Sequence, residues 1–189
     1  MDSGDSKEFT VQEVVERSGQ SLRSFYQYFG GKHELLLALF EESVRSTAEH
    51  LKEKADTVDD PQERLHGFVV DYYRICRPAP KGKSAKKTRG PSPVLVEFAQ
   101  QLLTAHPAEA ARAFVPLVVL FEDILTAAAA QGGIRSDLRL RPIAGVVLQA
   151  IMFNAFSVTI AGRSVDEGTA DAQELRTLLF EGIRAVPSA

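Results

Sequence analysis

Apolar residues recur at helical spacing along most of the chain. Val11, Val14 and Val15 repeat at i, i+3, i+4 and predict a short amphipathic helix. Thr10 and Glu13 stand at its start in the T-x-x-E pattern of a capping box. Ser18-Gly19 ends it, since glycine is free to take the left-handed conformation of a tight turn. Ser21 can cap a second short helix, SLRSFYQYF, which Gly30-Gly31 breaks. Phe25 and Phe29 lie four apart on one face of it, and Arg23, Ser24 and Gln27 share another.

A long helix is predicted next, over 32–58. Leu36, Phe40, Val44, Ala48, Leu51, Ala55 and Val58 step by three or four residues, and Glu41, Arg45, Glu49, Lys52 and Glu53 occupy the other face. Glu41 and Arg45 are a favourable i,i+4 pair. Asp60-Pro61 with Glu63 is a strong start signal for a helix over 61–76, which carries Leu65, Phe68, Val69, Tyr72 and Cys76. Further helices are expected over roughly 94–105, from His106-Pro107 to Ala130 with Pro116 as a kink, and over 170–185 through Leu175, Leu178, Leu179 and Ile183. The runs VLVEF and FVPLVVLF have local strand propensity, but they sit inside longer helical stretches. Residues 142–162 are uncharged, which is long enough to span a bilayer. Gly145, Gln149, Asn154, Ser157, Thr159 and Gly162 interrupt that run, so burial between helices and between subunits is the expectation, with no membrane partner.

Composition and charge narrow the picture. The 189 residues suit one domain, or a small one fused to a larger one. The net charge of −3 excludes a protein that coats polyanions generally. Residues 77–93 depart from this balance: Arg77, Lys81, Lys83, Lys86, Lys87 and Arg89 stand there with four prolines and no acid, which reads as a basic, mobile loop. Setting those six cations aside leaves the remainder at −9. The lone cysteine, Cys76, excludes an internal disulfide and a Cys-based zinc site and suits a reducing compartment. The polar, acidic N-terminus has no apolar h-region, and a cytoplasmic location is expected.

Two short helices joined by a glycine turn ahead of a long helix form a helix-turn-helix arrangement. The segment TVQEVVERSGQSLRSFYQYFGGKHELL, Thr10 to Leu36, resembles the DNA-binding segment of the TetR family of transcriptional regulators. The resemblance lies in the Thr-Val opening, the Ser-Gly turn, the run Phe25–Phe29, and Lys32 followed by Glu34-Leu35. Gly133-Ile134-Arg135-Ser136-Asp137 is similar to the connector before that family's last two helices. The resemblance implies an all-α homodimer, joined through its last two helices. It would have a helix-turn-helix DNA-binding domain over 1–45 and a ligand-binding and dimerisation domain over 46–189. It implies a repressor bound to a near-palindromic operator and released by a small-molecule effector.

On that reading Arg23, Ser24 and Gln27 point away from Phe25 and Phe29 and face base edges, Arg23 suiting guanine and Gln27 adenine. Thr10 sits at a helix N-terminus, where N–H groups favour phosphate. By resemblance Tyr26, Tyr28 and Lys32 hold the DNA backbone, with plain packing as the alternative for Tyr26. Ser21 and Leu22 complete the candidate contacts, and Leu22 either faces DNA, against a thymine methyl, or tucks inward.

The sequence departs from the family in three respects, of which the basic loop at 77–93 is one. Gln20 and Leu22 exchange the usual apolar and polar characters of their positions. The family also has a full helix before this motif, and here only eight polar residues precede Phe9. Either the start is late, or the chain is trimmed, or the domain lacks that helix. Val11, Val14, Val15, Phe25 and Phe29 would then be poorly covered, and weak DNA binding by this polypeptide alone is expected.

The larger domain should enclose a mostly apolar pocket. Candidate lining residues are Tyr72, Phe98, Leu102, Phe121, Met152 and Phe153, with ordinary core packing as the alternative. Gln149 and Asn154 would fix a ligand or pair across a dimer interface, and an apolar inducer is favoured. No cofactor, metal or catalytic residue is expected. His33, His50, His66 and His106 are scattered, Glu63-x-x-His66 occurs once where a di-iron bundle needs two copies, and HExxH, P-loop and nucleophile-elbow motifs are absent. The competing reading is a dimeric small-molecule-binding helical protein without competent DNA binding.

If the basic segment adds sequence-independent phosphate contacts, replacing Lys83, Lys86 and Lys87 by alanine should flatten the salt dependence of DNA binding. Titrations of one DNA duplex at several salt concentrations check this, and an unchanged slope rejects the contact.

Overall fold

The computed structural model describes residues 10–77, 93–135, 137–160 and 165–184. Apart from its two ends, the basic segment at 77–93 lies outside them, as do the residues before Thr10. The described residues form nine helices and no strand, only an isolated bridge between Ile134 and Arg184. In order these are α1 (Val11–Ser18), α2 (Leu22–Tyr28), α3 (Lys32–Ala55), α4 (Pro61–Cys76), α5 (Pro93–Ala105), α6 (Pro107–Ala113), α7 (Val115–Ala130), α8 (Leu140–Ile160) and α9 (Val165–Ile183).

The end signals act as the sequence predicts. Asp60 caps α4, its carboxylate accepting the N–H groups of Gln62 and Glu63 at 2.8 Å, and Pro61 occupies the first turn. α3 stops at Ala55, three residues earlier than expected. The Val58 carbonyl instead accepts two hydrogen bonds from the Arg64 guanidinium, at 2.9 and 2.7 Å, which closes the α3–α4 turn. Arg45 pairs with Glu42 and Glu49 on α3 rather than with Glu41.

The stretch predicted as one kinked helix from Pro107 to Ala130 is two helices bent by 57° about Phe114. Pro116 explains the break. It has no N–H to donate and its ring would strike the carbonyl four residues back, so it fits only the first turn of a new helix. VLVEF and FVPLVVLF are helical, within α5 and within α6–α7 with its break.

Two apolar clusters organise the chain. The larger takes one face from each of α3 to α8, with Phe68 of α4 stacked on Phe121 of α7 at 4.6 Å between ring centres. Leu175, Leu179 and Ile183 of α9 pack against it. Leu178, expected in the same stripe, points outward and is 72% exposed. The connector behaves as an anchored strap. Gly133 passes so close to Gln62 that a Cβ there would overlap its side-chain amide, and the Arg135 N–H donates to the Ile183 carbonyl at 2.9 Å. The smaller cluster holds Val15, Phe25 and Leu35 buried, with Val11, Val14 and Phe29 packed against it. Coverage is thus better than the sequence suggested for Val15 and Phe25, while Val11, Val14 and Phe29 are only half-buried.

Over residues 142–155 the uncharged run buries one face only. Ala144, Val147, Leu148, Ile151, Met152 and Ala155 of α8 are inside, whereas Val146, Gln149, Phe153 and Asn154 are exposed. Among the described residues no single helix is long and apolar enough to cross a membrane. The bent pair α6–α7 reaches that length and composition only jointly, and it contributes Ala110, Ala113, Phe114, Leu117, Phe121 and Leu125 to the larger core.

Because the two clusters are separate, damage to the small one should stay local. Phe25→Ala removes its largest side chain and should cost about 3–5 kcal/mol. Native-state hydrogen exchange should then show α1 and α2 opening while protection in α4 and α7 is retained.

Candidate nucleic-acid interface

Local chemistry fixes α1 and α2 against each other. At the start of α1 the Thr10 N–H donates to the Glu13 carboxylate at 2.8 Å and the Glu13 N–H donates to the Thr10 hydroxyl at 3.2 Å. This capping box commits two of the donors at that helix end, leaving those of Val11 and Gln12 outside the box. Gly19 caps the other end at φ 67°, the left-handed region that a side chain would strain. The Gln20 N–H returns to the Val15 carbonyl at 3.0 Å, which completes the turn. Ser21 then opens α2, its hydroxyl accepting the Ser24 N–H at 3.1 Å. After α2, the Glu34 carboxylate accepts the Gly30 N–H at 2.6 Å and so pins the step into α3.

With Phe25 buried and Phe29 half-buried at 5.4 Å from it, the rest of α2 faces outward. Leu22 is 44% exposed, Tyr26 59% and Tyr28 77%, and Arg23 and Gln27 are exposed beside them. Ser24 is half-buried and Ser21 is exposed at the N-cap. Leu22 therefore lies on the outer face, one of the two positions the sequence left open. The Tyr26 ring also meets the edge of Phe25 at 5.2 Å, so contact with the small core and exposure coexist there. Lys32 is half-buried at the first position of α3, and Thr10 is exposed beside the start of α1.

The candidate ligand residues do not gather in one place. Tyr72, Phe98, Leu102, Phe121 and Met152 are all buried in the larger core. A cavity of about 650 Å³ lies instead between α5, α6, α7 and α8. Gln149 and Phe153 line it, with Phe114, Val118, Arg141 and Leu148 among its other walls. Asn154 is exposed and does not line it. Helical periodicity marks an apolar face but not whether that face meets side chains or a cavity, and α6 swings away only because of the break at Phe114.

The structure also assembles a polar cluster that spacing along the chain conceals. His33, at the start of α3, meets Glu109 of α6 at 2.8 Å and lies 4.7 Å from the His106 ring. Hydrogen bonding to His33 is the main cause that holds the Glu109 carboxyl below its ordinary pKa. His106 and Glu109 are three apart at a helix start, a visible signal; His33 is far away in sequence. His66 is half-buried and packs its ring on Phe180 of α9 at 4.1 Å, rather than sitting on the helix surface.

Comparison with known proteins agrees with the local reading. Residues 6–39 match the family model for bacterial regulatory proteins, tetR family, which spans α1, α2 and the first turns of α3. The chain thus carries a tetR-family helix-turn-helix segment, and the resemblance read from Thr10 to Leu36 is borne out. Comparison with curated proteins finds no match. Among solved structures, the fold is similar to the transcriptional regulator FadR of Bacillus subtilis in complex with stearoyl-CoA. Identity is 16%, coverage is 93% of this chain and 89% of that one, and the TM-score is 0.66. It is also similar to FadR of Thermus thermophilus, a TetR-family repressor in complex with lauroyl-CoA, at 21% identity, 97% and 90% coverage and TM-score 0.64. Reduced NemR of E. coli matches at 14% identity, 96% and 89% coverage and TM-score 0.65.

Proposed function

We propose, from the tetR-family segment at residues 6–39, that this chain is a ligand-responsive transcriptional repressor acting as a homodimer on a near-palindromic operator. The observation that carries this reading is the outer face of α2. Leu22, Arg23, Tyr26, Gln27 and Tyr28 stand exposed together on a helix capped at its start and braced from behind by Phe25. Arg23 suits the O6/N7 pair of guanine, Gln27 suits adenine, and Leu22 suits a thymine methyl. Tyr26, Tyr28, Lys32, Ser21 and the start of α1 at Thr10 would hold the phosphates on either side. A two-fold dimer sets two such helices about 34 Å apart, one turn of the duplex.

The dimer would form through α8 and α9. Val146 of α8 and Leu178 of α9 are large apolar side chains left exposed by the chain's own packing. The effector would enter the cavity between α5 and α8. Its volume is in the range of small-molecule sites, and its walls are mainly apolar. The similar FadR structures hold stearoyl-CoA and lauroyl-CoA. Here Arg141, paired with Glu122 at 3.2 Å, is the cation in the lining that would meet an anionic head, while Phe114, Val118 and Leu148 would meet an acyl tail. Such a ligand releases DNA to the extent that it binds better to dimers whose α2 helices are wrongly spaced.

Selection of bound sequences from a random DNA pool tests this directly. A near-palindrome is expected, and acyl-CoA should weaken binding to it. A pool that stays random favours the ligand-binding dimer without DNA binding. Arg23→Ala should cost about 1–3 kcal/mol on the selected site and relax the preference at one position in each half. Leu178→Asp should shift the protein from dimer to monomer in sedimentation velocity, since a charge would replace an apolar contact at the two-fold face.

A further inference from the structure

His33, His106 and Glu109 come from two elements that pack end to side. His33 is the second residue of α3, two positions before Leu35 in the small core. His106 is the N-cap of α6 and Glu109 lies in its first turn, three residues on, so both side chains project from one edge. His33 Nε2 is 2.8 Å from Glu109 Oε2, His106 Nδ1 is 3.9 Å from Glu109 Oε1, and one ligand atom from each residue lies within 4.8 Å of the others. The three side chains are 40%, 43% and 28% exposed, so the cluster is reachable from solvent yet held on packed elements. Phe98 and His33 meet at 5.5 Å between ring centres, which fixes the His33 ring from the α5 side.

The geometry points to a three-ligand site for a divalent transition cation, with Zn2+ the best match, that bridges the first turn of α3 to the start of α6. Bonds of about 2.0–2.1 Å to nitrogen and oxygen put neighbouring ligand atoms of a tetrahedral ion roughly 3.3 Å apart. The separations of 2.8 and 3.9 Å, measured to the two oxygens of the Glu109 carboxylate, lie on either side of that value. Two imidazoles and a carboxylate select zinc, cobalt or nickel, whereas magnesium and calcium prefer an all-oxygen shell. Solvent access leaves the fourth position to water. Binding would tie the DNA-binding segment to the regulatory body through a contact separate from the cavity, and it requires no DNA, so it stands apart from the operator reading.

The test is metal titration of the untagged full-length chain after treatment with a chelator. Zn2+ alone, followed by calorimetry, should show one saturable site per chain, and Co2+ should give the visible absorption of a low-coordinate ion. Excess Mg2+ should not displace either. His106→Ala, on the α6 side, and His33→Gln, on the α3 side, should each weaken Zn2+ by more than about tenfold. Glu109→Gln should do the same while circular dichroism confirms the fold is kept. Zn2+ should raise the melting temperature of the parent chain and not of the variants. Absence of a saturable site, displacement by Mg2+, or unchanged affinity in the folded variants would each overturn the proposal.

Discussion

Leu35 and Leu36 are adjacent on α3, and an α-helix turns by about 100° between neighbours. That rotation sends Leu35 into the small cluster with Val15 and Phe25, and Leu36 into the large one with Phe40 and Val44. Everything else in the architecture depends on this shared helix. Among the described residues α1 and α2 bury only Val15 and Phe25, against Leu35 of α3, too few to order them unaided. They are held because α3 is continuous and already fixed in the body by Phe40, which meets Phe98 at 6.3 Å and Phe114 at 5.6 Å.

The caps matter more in such a segment than in a deep core. The box at Thr10 and Glu13, the Ser21 hydroxyl and the Glu34 carboxylate on Gly30 satisfy backbone donors, and the left-handed Gly19 satisfies terminal carbonyls, that water would otherwise compete for. They also fix where α2 points. A recognition surface works only if its side chains arrive in register, and here short-range hydrogen bonds supply the orientation while Phe25 supplies the anchor.

This division explains what could be read from the chain. The helix-turn-helix was legible because its signals are local: a cap and its partner three residues on, a glycine at the turn, two phenylalanines four apart. The α4 start was legible for the same reason. The α6–α7 break was half-legible, since Pro116 marks it but its outcome depends on whether the body accepts a 57° bend. The cavity was not legible. Tyr72, Leu102 and Phe121 have the same apolar spacing as residues that line a hollow, and only the placement of α6 separates them from it. Likewise Leu178 fits the stripe of α9 by period, and only tertiary packing shows that it faces away.

The position of His33 gives this shared helix a further property. α6 meets α3 at its N-terminal turn through Glu109 and His106, and through Phe114 at Phe40 further along. The same turn holds Lys32, and Glu34 bonded to Gly30 at the end of α2. α6 also lends Ala110 and Phe114 to the cavity wall. The proposed effector cavity and the contact with α3 would therefore share this one short helix. On the proposed function, a ligand that favours one placement of α6 would bias the DNA-binding segment through this contact, to the extent that it binds the two arrangements differently. A contact across α3 and α6 that is polar and half-exposed, rather than buried and apolar, suits that duty: it can be remade without opening either core.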